Sequence, residues 1–324
     1  CFCCDGNFRW SDWCGRLLFV EKIVNMKIWD IVLLTEDRYC NPTELNPYIN
    51  NILTDDAILT SALEEHGLRV IRKSWSDNSF DWSTAHYVVF RTTWDYFDRF
   101  AEFEVWLNAT AEKTQFINSI NLLKWNLDKH YFRDLLQAGV NTVETYYFKK
   151  GTSQLLSNLF AELKLNEAVL KPTISGSARH TYRLNPSNVA NHNDIFSELI
   201  QHEDMMLQPF QYDIINKGEV AFMLMNGIFT HAVLKKSKPG DFRVQDDFGG
   251  TLHDYTPTSE EIAFAEKAVA ACSEKPLYAR VDIINDNNGQ LAVMELEIIE
   301  PELWFRRNPL SANFLASAIK NLFK

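Results

Sequence analysis

The stretch LAVMELEIIEPELWF, residues Leu291 to Phe305, begins as an apolar run typical of a buried strand, yet it carries two glutamates within that run. Side chains two positions apart in a strand point to the same face, so Glu295 and Glu297 are expected to lie side by side. Two adjacent carboxylates in an apolar strand repel each other and lose hydration. The stretch therefore indicates a site where positive charge compensates both glutamates.

A second strand, YARVDII, is predicted to pair with this one across the turn NDNNG. In that hairpin Arg280 and Asp282 share one face and lie roughly opposite Glu295 and Glu297. Three carboxylates on one patch suit Mg²⁺, which proteins hold through one or two carboxylates together with substrate phosphates. The alternative is a solvated strand face with ordinary charge pairs. The apolar neighbours on both strands favour the metal site.

The order of predicted elements indicates two kinds of architecture. Up to about residue 120, strands such as KIWDIVLLT and YVVF alternate with amphipathic helices, which predicts α/β structure with a parallel sheet. Ligands of such sheets collect at the carboxyl ends of strands, where RTTWDY follows YVVF. Beyond residue 120 strands dominate, and Asn226-Gly227 predicts a hairpin turn. The second part is therefore predicted to be α+β.

Composition excludes some classes of partner. The chain has 324 residues, 46% of them hydrophobic, and a net charge of −11 without runs of Lys or Arg. Nucleic acid is thus not expected as a partner, because phosphate neutralisation needs clustered basic residues. No apolar segment reaches the roughly 20 residues that cross a bilayer, so no membrane partner is expected either.

The first 25 residues differ from the rest. Cys1, Cys3, Cys4 and Cys14 could be read as a metal site or a disulfide cluster, but the paired CxxC spacing of such sites is missing. Met26 is followed at once by the first predicted strand. Residues 1–25 are therefore predicted to be an upstream extension or a disordered tail, and a cytoplasmic location is expected because RLLFV is too short for a signal peptide core.

Two basic segments indicate phosphate binding. Lys171 follows the apolar strand AVL and precedes a proline, and a small loop, Ser175 to Ala178 (SGSA), follows it; such a loop can lay backbone N–H groups against phosphates. A lysine whose stem packs while its ammonium reaches water is the alternative.

Farther on, Lys235, Lys236, Lys238 and Arg243 surround a Pro-Gly turn. They could be merely solvated, but with Lys171 and the acidic patch they indicate the cationic side of a triphosphate site, with Arg243 suited to a terminal phosphate.

Taken in order, these motifs resemble the ATP-grasp superfamily. The segments are NLLKWNLDKHYF, VLKPTISGSA, MMLQPF, HAVLKKSKPGDFR, YARVDII and MELEIIEP. RTTWDY, GDFRVQ and MELEIIEP are similar to the glutathione synthetase-like branch that includes D-cycloserine-forming ligases. The resemblance covers Met26 to the end and implies an ATP-grasp fold behind a Rossmann-like N-terminal domain. The implied domains are 26–120, a central lid subdomain at 121–205 and a catalytic subdomain at 206–324.

The resemblance also implies cofactors and roles. ATP and Mg²⁺ are expected, with Mg²⁺ neutralising Glu295 and Glu297. Glu297 departs from many members, which carry Asn there, so Glu295 is the stronger candidate ligand. By this resemblance the α- and β-phosphates would be bound by Lys124 or Lys129, by Lys171, and by the loop Ser175, Gly176 and Ser177. Adenine would contact Gln208, Pro209 and Phe210, and ribose would contact Asp213 or Glu219. Catalysis is assigned to Lys235, Arg243 and Arg280, and metal binding to Asp282, Glu295 and Glu297.

Substrate residues are expected where the N-terminal sheet meets the site. Arg91 could pair with a substrate carboxylate, and Asp95 could receive an amine. Tyr96 follows the end of the same strand, and Arg306 follows the strand that carries Glu295 and Glu297. The alternative for TWDY is a helix cap, with Thr93 or Asp95 satisfying N–H groups and Trp94 packed in the core. His231 could assist catalysis, but a lone histidine on a strand is more often structural.

These residues predict an ATP-dependent carboxylate–amine ligase acting on a small amino-acid-like substrate through an acyl phosphate. Phosphoryl transfer of this kind needs positioning and charge neutralisation rather than a nucleophilic side chain. Alternatives are an intramolecular cyclising ligase, a phosphotransferase of the same fold, and a non-catalytic ATP-binding sensor. The identity of the acid and amine and the oligomeric state, including a homodimer, stay open.

Overall fold

The structure is a computed structural model, and it describes residues 27–244 and 249–324. The predicted tail at 1–25, its four cysteines and Met26 lie outside the described residues. Among the described helices, none has the length and apolar character needed to cross a membrane.

The N-terminal module is a parallel four-stranded sheet in the order β2-β1-β3-β4. Its central strands are apolar on both faces, which is typical of a sheet covered by helices on both sides. The prediction of a parallel sheet is confirmed. The strands are β1 (Trp29–Thr35), β2 (Val70–Ser74), β3 (Ala85–Thr92) and β4 (Gln115–Ile117), and the helices are α1 (Asp37–Cys40), α2 (Pro47–Glu65) and α3 (Phe100–Ala111).

Two short helices, α4 (Ile120–Leu127) and α5 (Tyr131–Gln137), follow where one continuous helix was predicted from Asn126 onward. The prediction was wrong at residues 128–130, which are not helical. The carboxylate of Asp128 accepts a hydrogen bond from the backbone N–H of His130 (3.0 Å), and this local bond competes with the helix. The break places Lys129 between the two helices, where its side chain is buried.

The central module is a four-stranded antiparallel sheet in the order β5-β8-β6-β7. The expected boundary at 205/206 falls inside β8, which pairs with β5 and β6 and so belongs to this sheet. Strand β7 and helix α7 were not predicted. The elements are β5 (Tyr146–Phe148), α6 (Leu156–Glu162), β6 (Ala168–Pro172), β7 (Tyr182–Leu184), α7 (Asn193–Leu199) and β8 (Met205–Pro209), followed by α8 (Asp213–Asn216).

The C-terminal module is a five-stranded antiparallel sheet in the order β11-β10-β9-β12-β13. The predicted turn at Asn226-Gly227 is confirmed, since both residues have positive φ (52° and 77°), as a two-residue hairpin of this type requires. The elements are β9 (Glu219–Met225), β10 (Ile228–Lys236), β11 (Thr251–Tyr255), α9 (Ser259–Ala270), β12 (Tyr278–Asn285), β13 (Leu291–Glu297) and α10 (Pro309–Lys320).

Candidate active site

The hairpin of β12 and β13 brings the predicted carboxylates together. Its register pairs Arg280 with Glu297 and Asp282 with Glu295, as the sequence predicted. One oxygen from each of Asp282, Glu295 and Glu297 lies within 4.8 Å of the others. Two buried amides fix this end of β13: Asn126 donates to Leu296 O (2.7 Å), and Asn118 donates to Ile298 O (2.8 Å).

Basic side chains lie beside these carboxylates, so the Mg²⁺ expected from the sequence would not be their only source of positive charge. Lys235 Nζ lies 2.6 Å from Asp282 Oδ2 and 2.5 Å from Glu219 Oε1. Arg280 donates to both oxygens of Asp282 (2.9 Å each) and contacts Glu297. Lys129 Nζ lies 3.2 Å from Glu295 Oε1. We call this set, together with Lys171, the charged region.

Burial and charge separate the pKa values within the charged region. Burial raises the pKa of Glu297 to about 8, although Arg280 opposes the shift. Asp282 is also buried, but Arg280 and Lys235 together hold the pKa of its carboxyl below the ordinary value. The same holds for Glu295, where Lys129 and Lys171 outweigh burial and lower its pKa. Burial lowers the pKa of Lys171 to about 8.

The three carboxylates fit a divalent cation that prefers oxygen ligands. Asp282 and Glu295 favour the ionised form that a metal ligand needs. Glu297 is the weaker candidate because its pKa is raised and Arg280 already holds it.

A cavity of about 240 Å³ opens between the three modules and collects most of the predicted residues. The predicted residues that line it are Tyr96, Lys129, Lys171, Ser175, Gly176, Ser177, Gln208, Pro209, Phe210, Glu219, Lys235, Arg243, Arg280, Glu295 and Glu297. Asp282 is 1% exposed and lies behind them, in contact with Lys235 and Arg280.

The structure separates the two candidate lysines for the first phosphate contact. Lys124 is exposed on α4 and does not line the cavity, so it is not brought to the site. Lys129 lines the cavity, and its Nζ donates to Ser175 O (2.5 Å), which ties it to the small loop. In that loop Ser177 adopts a left-handed backbone (φ 46°), and Gly176 packs on Phe97, where an added Cβ would stand 2.6 Å from Cε1.

An apolar part of the cavity lies beside the strand-to-helix linker that follows β8. Phe210, Ile214 and Val244 form a cluster there, which Val169, Phe242 and Met294 complete. The turn between β12 and β13 supports this linker, since Asn287 Nδ2 donates to Phe210 O (2.8 Å). Asp213, an expected ribose contact, does not line the cavity and pairs instead with Lys217 (2.8 Å). Glu219, the other expected ribose contact, is engaged by Lys235 in the charged region.

The expected substrate residues are only partly at the cavity. Arg91 is buried against Asp56 (3.1 Å) and does not line it. The carboxylate of Asp95 accepts hydrogen bonds from Trp75 Nε1 (2.7 Å) and Arg99 (2.9 Å), so its partners lie within the N-terminal module. Arg306 does not line the cavity and pairs with Asp55 (2.6 Å) and Glu302 (2.7 Å). The helix-cap alternative for TWDY does not hold, since Arg99 rather than Asp95 is the N-cap of the helix that follows and Trp94 lines the cavity.

Four aromatic side chains form a region of the cavity that the sequence reading largely missed. Tyr48, Trp94, Tyr96 and Trp304 line it, and of these only Tyr96 was a candidate. Trp94 Nε1 donates to Glu300 O (3.0 Å), and the carboxylate of Glu300, whose pKa burial raises to about 7, interacts with Tyr96. Glu300 and Glu302 also line the cavity. We call the four aromatic residues with these two glutamates the aromatic region.

Two further candidates have partners within the protein. Arg243 lines the cavity and pairs with Asp241 (2.8 Å), which holds the pKa of that carboxyl well below its usual range. His231 is structural in its geometry: its ring bonds to Leu303 O (3.0 Å), and burial lowers its pKa to about 4, so the neutral ring donates to the carbonyl.

Known proteins are similar to this chain in both sequence and fold. Residues 31–118 match the family described as the N-terminal domain of D-cycloserine synthetase DcsG. The cycloserine biosynthesis protein DcsG of Streptomyces lavendulae is 29% identical over 247 residues, covering 71% of this chain and 80% of that protein. The crystal structure of D-cycloserine synthetase DcsG superposes with a TM-score of 0.79 at 27% identity, covering 91% of this chain and all of that one.

A more distant structure extends the comparison to the fold. The D-alanine–D-alanine ligase of Bacillus anthracis superposes with a TM-score of 0.60 at 11% identity, over 91% of this chain and all of that one. Fold and sequence together define the class: the chain is an ATP-grasp protein and an ATP-dependent ligase. Within that class it is similar to D-cycloserine synthetase.

Proposed function

We propose that this ligase uses ATP and Mg²⁺ to convert the carboxylate of a small amino-acid-like substrate into an amide through an acyl phosphate. One observation carries the proposal: Glu295 and Glu297 line one cavity with Lys129, Lys171, Lys235 and Arg280, and the carboxylate of Asp282 lies directly behind them. Carboxylates for a divalent cation and cations for a polyphosphate are the two charge sets that phosphoryl transfer from ATP requires.

The chemistry proceeds in two balanced steps. A carboxylate oxygen of the substrate attacks the γ-phosphorus of ATP, the bond from that phosphorus to the bridging oxygen breaks, and ADP leaves. An amine nitrogen then attacks the acyl carbon, the bond from that carbon to the phosphate oxygen breaks, phosphate leaves with the electron pair, and the nitrogen loses a proton. Asp282 and Glu295 would hold Mg²⁺, which would offset the negative charge of the phosphates.

The residues of the chain position the reacting groups and neutralise the negative charge of the phosphates. The ammonium of Lys171 forms no salt bridge to any residue that the structure describes, and burial lowers its pKa to about 8 although Glu295 and Glu219 oppose the shift. A phosphate oxygen is the partner that we assign to it. Arg280 faces the developing negative charge from the floor of the cavity. The apolar cluster at Phe210 and Val244 offers the dry surface that a purine ring needs.

A cyclising ligase is the second candidate, because the sequence similarity is to a protein that makes cycloserine, a ring compound. In that case the amine and the carboxylate belong to one molecule. The site residues and the first step are the same for both candidates, so the product distinguishes them.

The test is phosphate release from Mg-ATP across a panel of D- and L-amino acids and dipeptides, with mass detection of products. A compound that loses one water indicates cyclisation, and two joined compounds indicate an intermolecular ligase. A phosphorylated product without an amide would contradict both in favour of a phosphotransferase. ATP binding with no release across the panel would favour the sensor.

A further inference from the structure

The indole nitrogen of Trp304 is a buried donor without an acceptor. Trp304 is 2% exposed and lines the cavity, and its Nε1 makes no hydrogen bond to any residue that the structure describes. A buried donor left unpaired costs about 1–3 kcal/mol, so such groups call for an explanation. Trp106 has the same unpaired nitrogen but lies in the aromatic core of the N-terminal module, away from the cavity.

The backbone of Trp304 is also held in an uncommon conformation. Its φ is +44°, a left-handed value that bulky side chains rarely adopt. His231 bonds to the adjacent carbonyl of Leu303 (3.0 Å), and the N–H of Arg307 donates to Trp304 O (2.9 Å). Strained residues held by their surroundings cluster at ligand sites, where the strain fixes a side chain in place.

Trp304 stands where the charged and aromatic regions meet. The guanidinium carbon of Arg280 lies 5.4 Å from the centre of the indole ring. The rings of Tyr48 and Trp94, 6.2 Å apart between centroids, line the same cavity, as do Glu300 and Glu302, the latter paired with Arg306 (2.7 Å). Aromatic faces and carboxylates together suit an organic ammonium.

We propose that the aromatic region is the subsite for the amino-acid substrate in its zwitterionic form, with Trp304 Nε1–H donating to the carboxylate that becomes phosphorylated. The ammonium lies against Glu300 and Glu302 beneath Trp94 and Tyr48. This inference rests on the proposed function, because it assigns the substrate carboxylate to the step at Arg280. It makes Trp304 a determinant of substrate affinity but not of ATP affinity.

The first experiment compares Trp304→Phe with the matched control Trp106→Phe. Both remove one unpaired buried indole N–H and keep an aromatic ring. Trp304→Phe should raise KM for the amino substrate about 10-fold to 100-fold, as loss of a bond to a charged group does, and leave the Kd for ATP within about 2-fold. Trp106→Phe should change neither. An unchanged KM in Trp304→Phe would overturn the inference while leaving the ligase assignment intact.

A second measurement needs no turnover. The indole Nε1–H resonance of Trp304 in the ¹H–¹⁵N spectrum, assigned by its loss in Trp304→Phe, should move when the substrate found in the panel, or D- or L-alanine or D- or L-serine, is added to the wild-type protein. The Trp106 resonance should stay in place. A shift without any phosphate release would support the subsite and count against the ligase. No shift with any of these compounds would overturn the subsite.

The ammonium contact is tested by Glu300→Gln, which keeps the shape and the hydrogen bonding of the side chain. Wild-type protein should bind alanine more tightly than propionate, which lacks the amino group, as measured by the Trp304 resonance. Glu300→Gln should reduce that preference several-fold. A preference that is the same in both proteins would contradict the placement of the ammonium.

Discussion

The charged region and the aromatic region share one cavity but satisfy their polar groups differently. In the charged region the carboxylate of Asp282 accepts from Lys235 and from Nε and Nη2 of Arg280, so most charges are paired within the protein. In the aromatic region Trp304 Nε1 is left without an acceptor among the described residues. Burying an unpaired charge destabilises the folded state far more than burying an unpaired neutral donor does. A neutral donor without an acceptor is therefore the less costly group to keep ready for a ligand.

Lys171 sharpens this comparison because it is the exception in the charged region. Its ammonium has no ion-pair partner among the described residues, and burial lowers its pKa to about 8. The two groups that lack partners, Lys171 and Trp304, therefore mark where ligand atoms are expected in each region. Paired groups such as Asp282 mark the scaffold that the ligands meet.

The largest effect is expected from Glu295→Gln, which removes one charge from the carboxylate set and keeps its shape. Phosphate release should fall to background, a loss of at least about 100-fold, because the proposed metal ligand loses its charge. Thermal unfolding should be close to wild type. Glu260→Gln, on an exposed position of α9, is the control. Phosphate release near the wild-type rate in Glu295→Gln would end the proposed metal role.

A smaller, graded effect is expected from pH. The pKa of Lys171 lies at about 8, below its ordinary value, so the free protein loses this proton as pH rises through 8. Phosphate binds the charged form, so the Kd for ATP should rise above pH 8, and ATP binding at pH 8.5 should take up a proton. Calorimetry in buffers of different ionisation enthalpy measures that uptake.

The linkage to stability has a definite sign. Because the folded pKa of Lys171 is the lower one, the unfolded chain binds more protons above pH 8, and the ligand-free protein gains stability from this group as pH rises through that window. Lys171→Met should weaken ATP binding at pH 7 and remove the proton uptake. Equal proton uptake in wild type and Lys171→Met would assign it to another group.

The smallest effect is expected at the linker. Asn287→Ala removes the side-chain bonds to Phe210 O and from Tyr212 N and should raise the Kd for ATP about 3-fold to 10-fold, since the adenine-side backbone loses its support from the turn. Asn288→Ala is the matched control in the same turn, because the side chain of Asn288 makes no hydrogen bond to any residue that the structure describes. Equal Kd values for the two variants would show that the turn does not support the nucleotide site. The KM for the amino substrate should be unchanged in both.

Much of the fold and part of the site could be predicted locally. The period-2 pattern placed Asp282 opposite Glu295, and Asn226-Gly227 fixed a hairpin, because strand faces and turn geometry depend on neighbouring residues. Lys124 and Lys129 could not be told apart, since the helix break at Asp128 that turns Lys129 inward depends on one side-chain bond. Arg91 looked like a substrate residue because its partner Asp56 is distant in sequence.

The sequence by itself determined at which positions along the chain carboxylates, lysines and small loops follow or interrupt apolar strands. Those features arise from local periodicity and spacing. Only the tertiary structure decided which charged side chains pair with each other and which buried hydrogen-bond donor has no acceptor among the described residues. Pairings such as Lys235 with Asp282, 47 residues apart, and the isolation of Trp304 depend on how separate modules enclose one cavity. No local pattern encodes that enclosure, because burial is a property of the assembled fold.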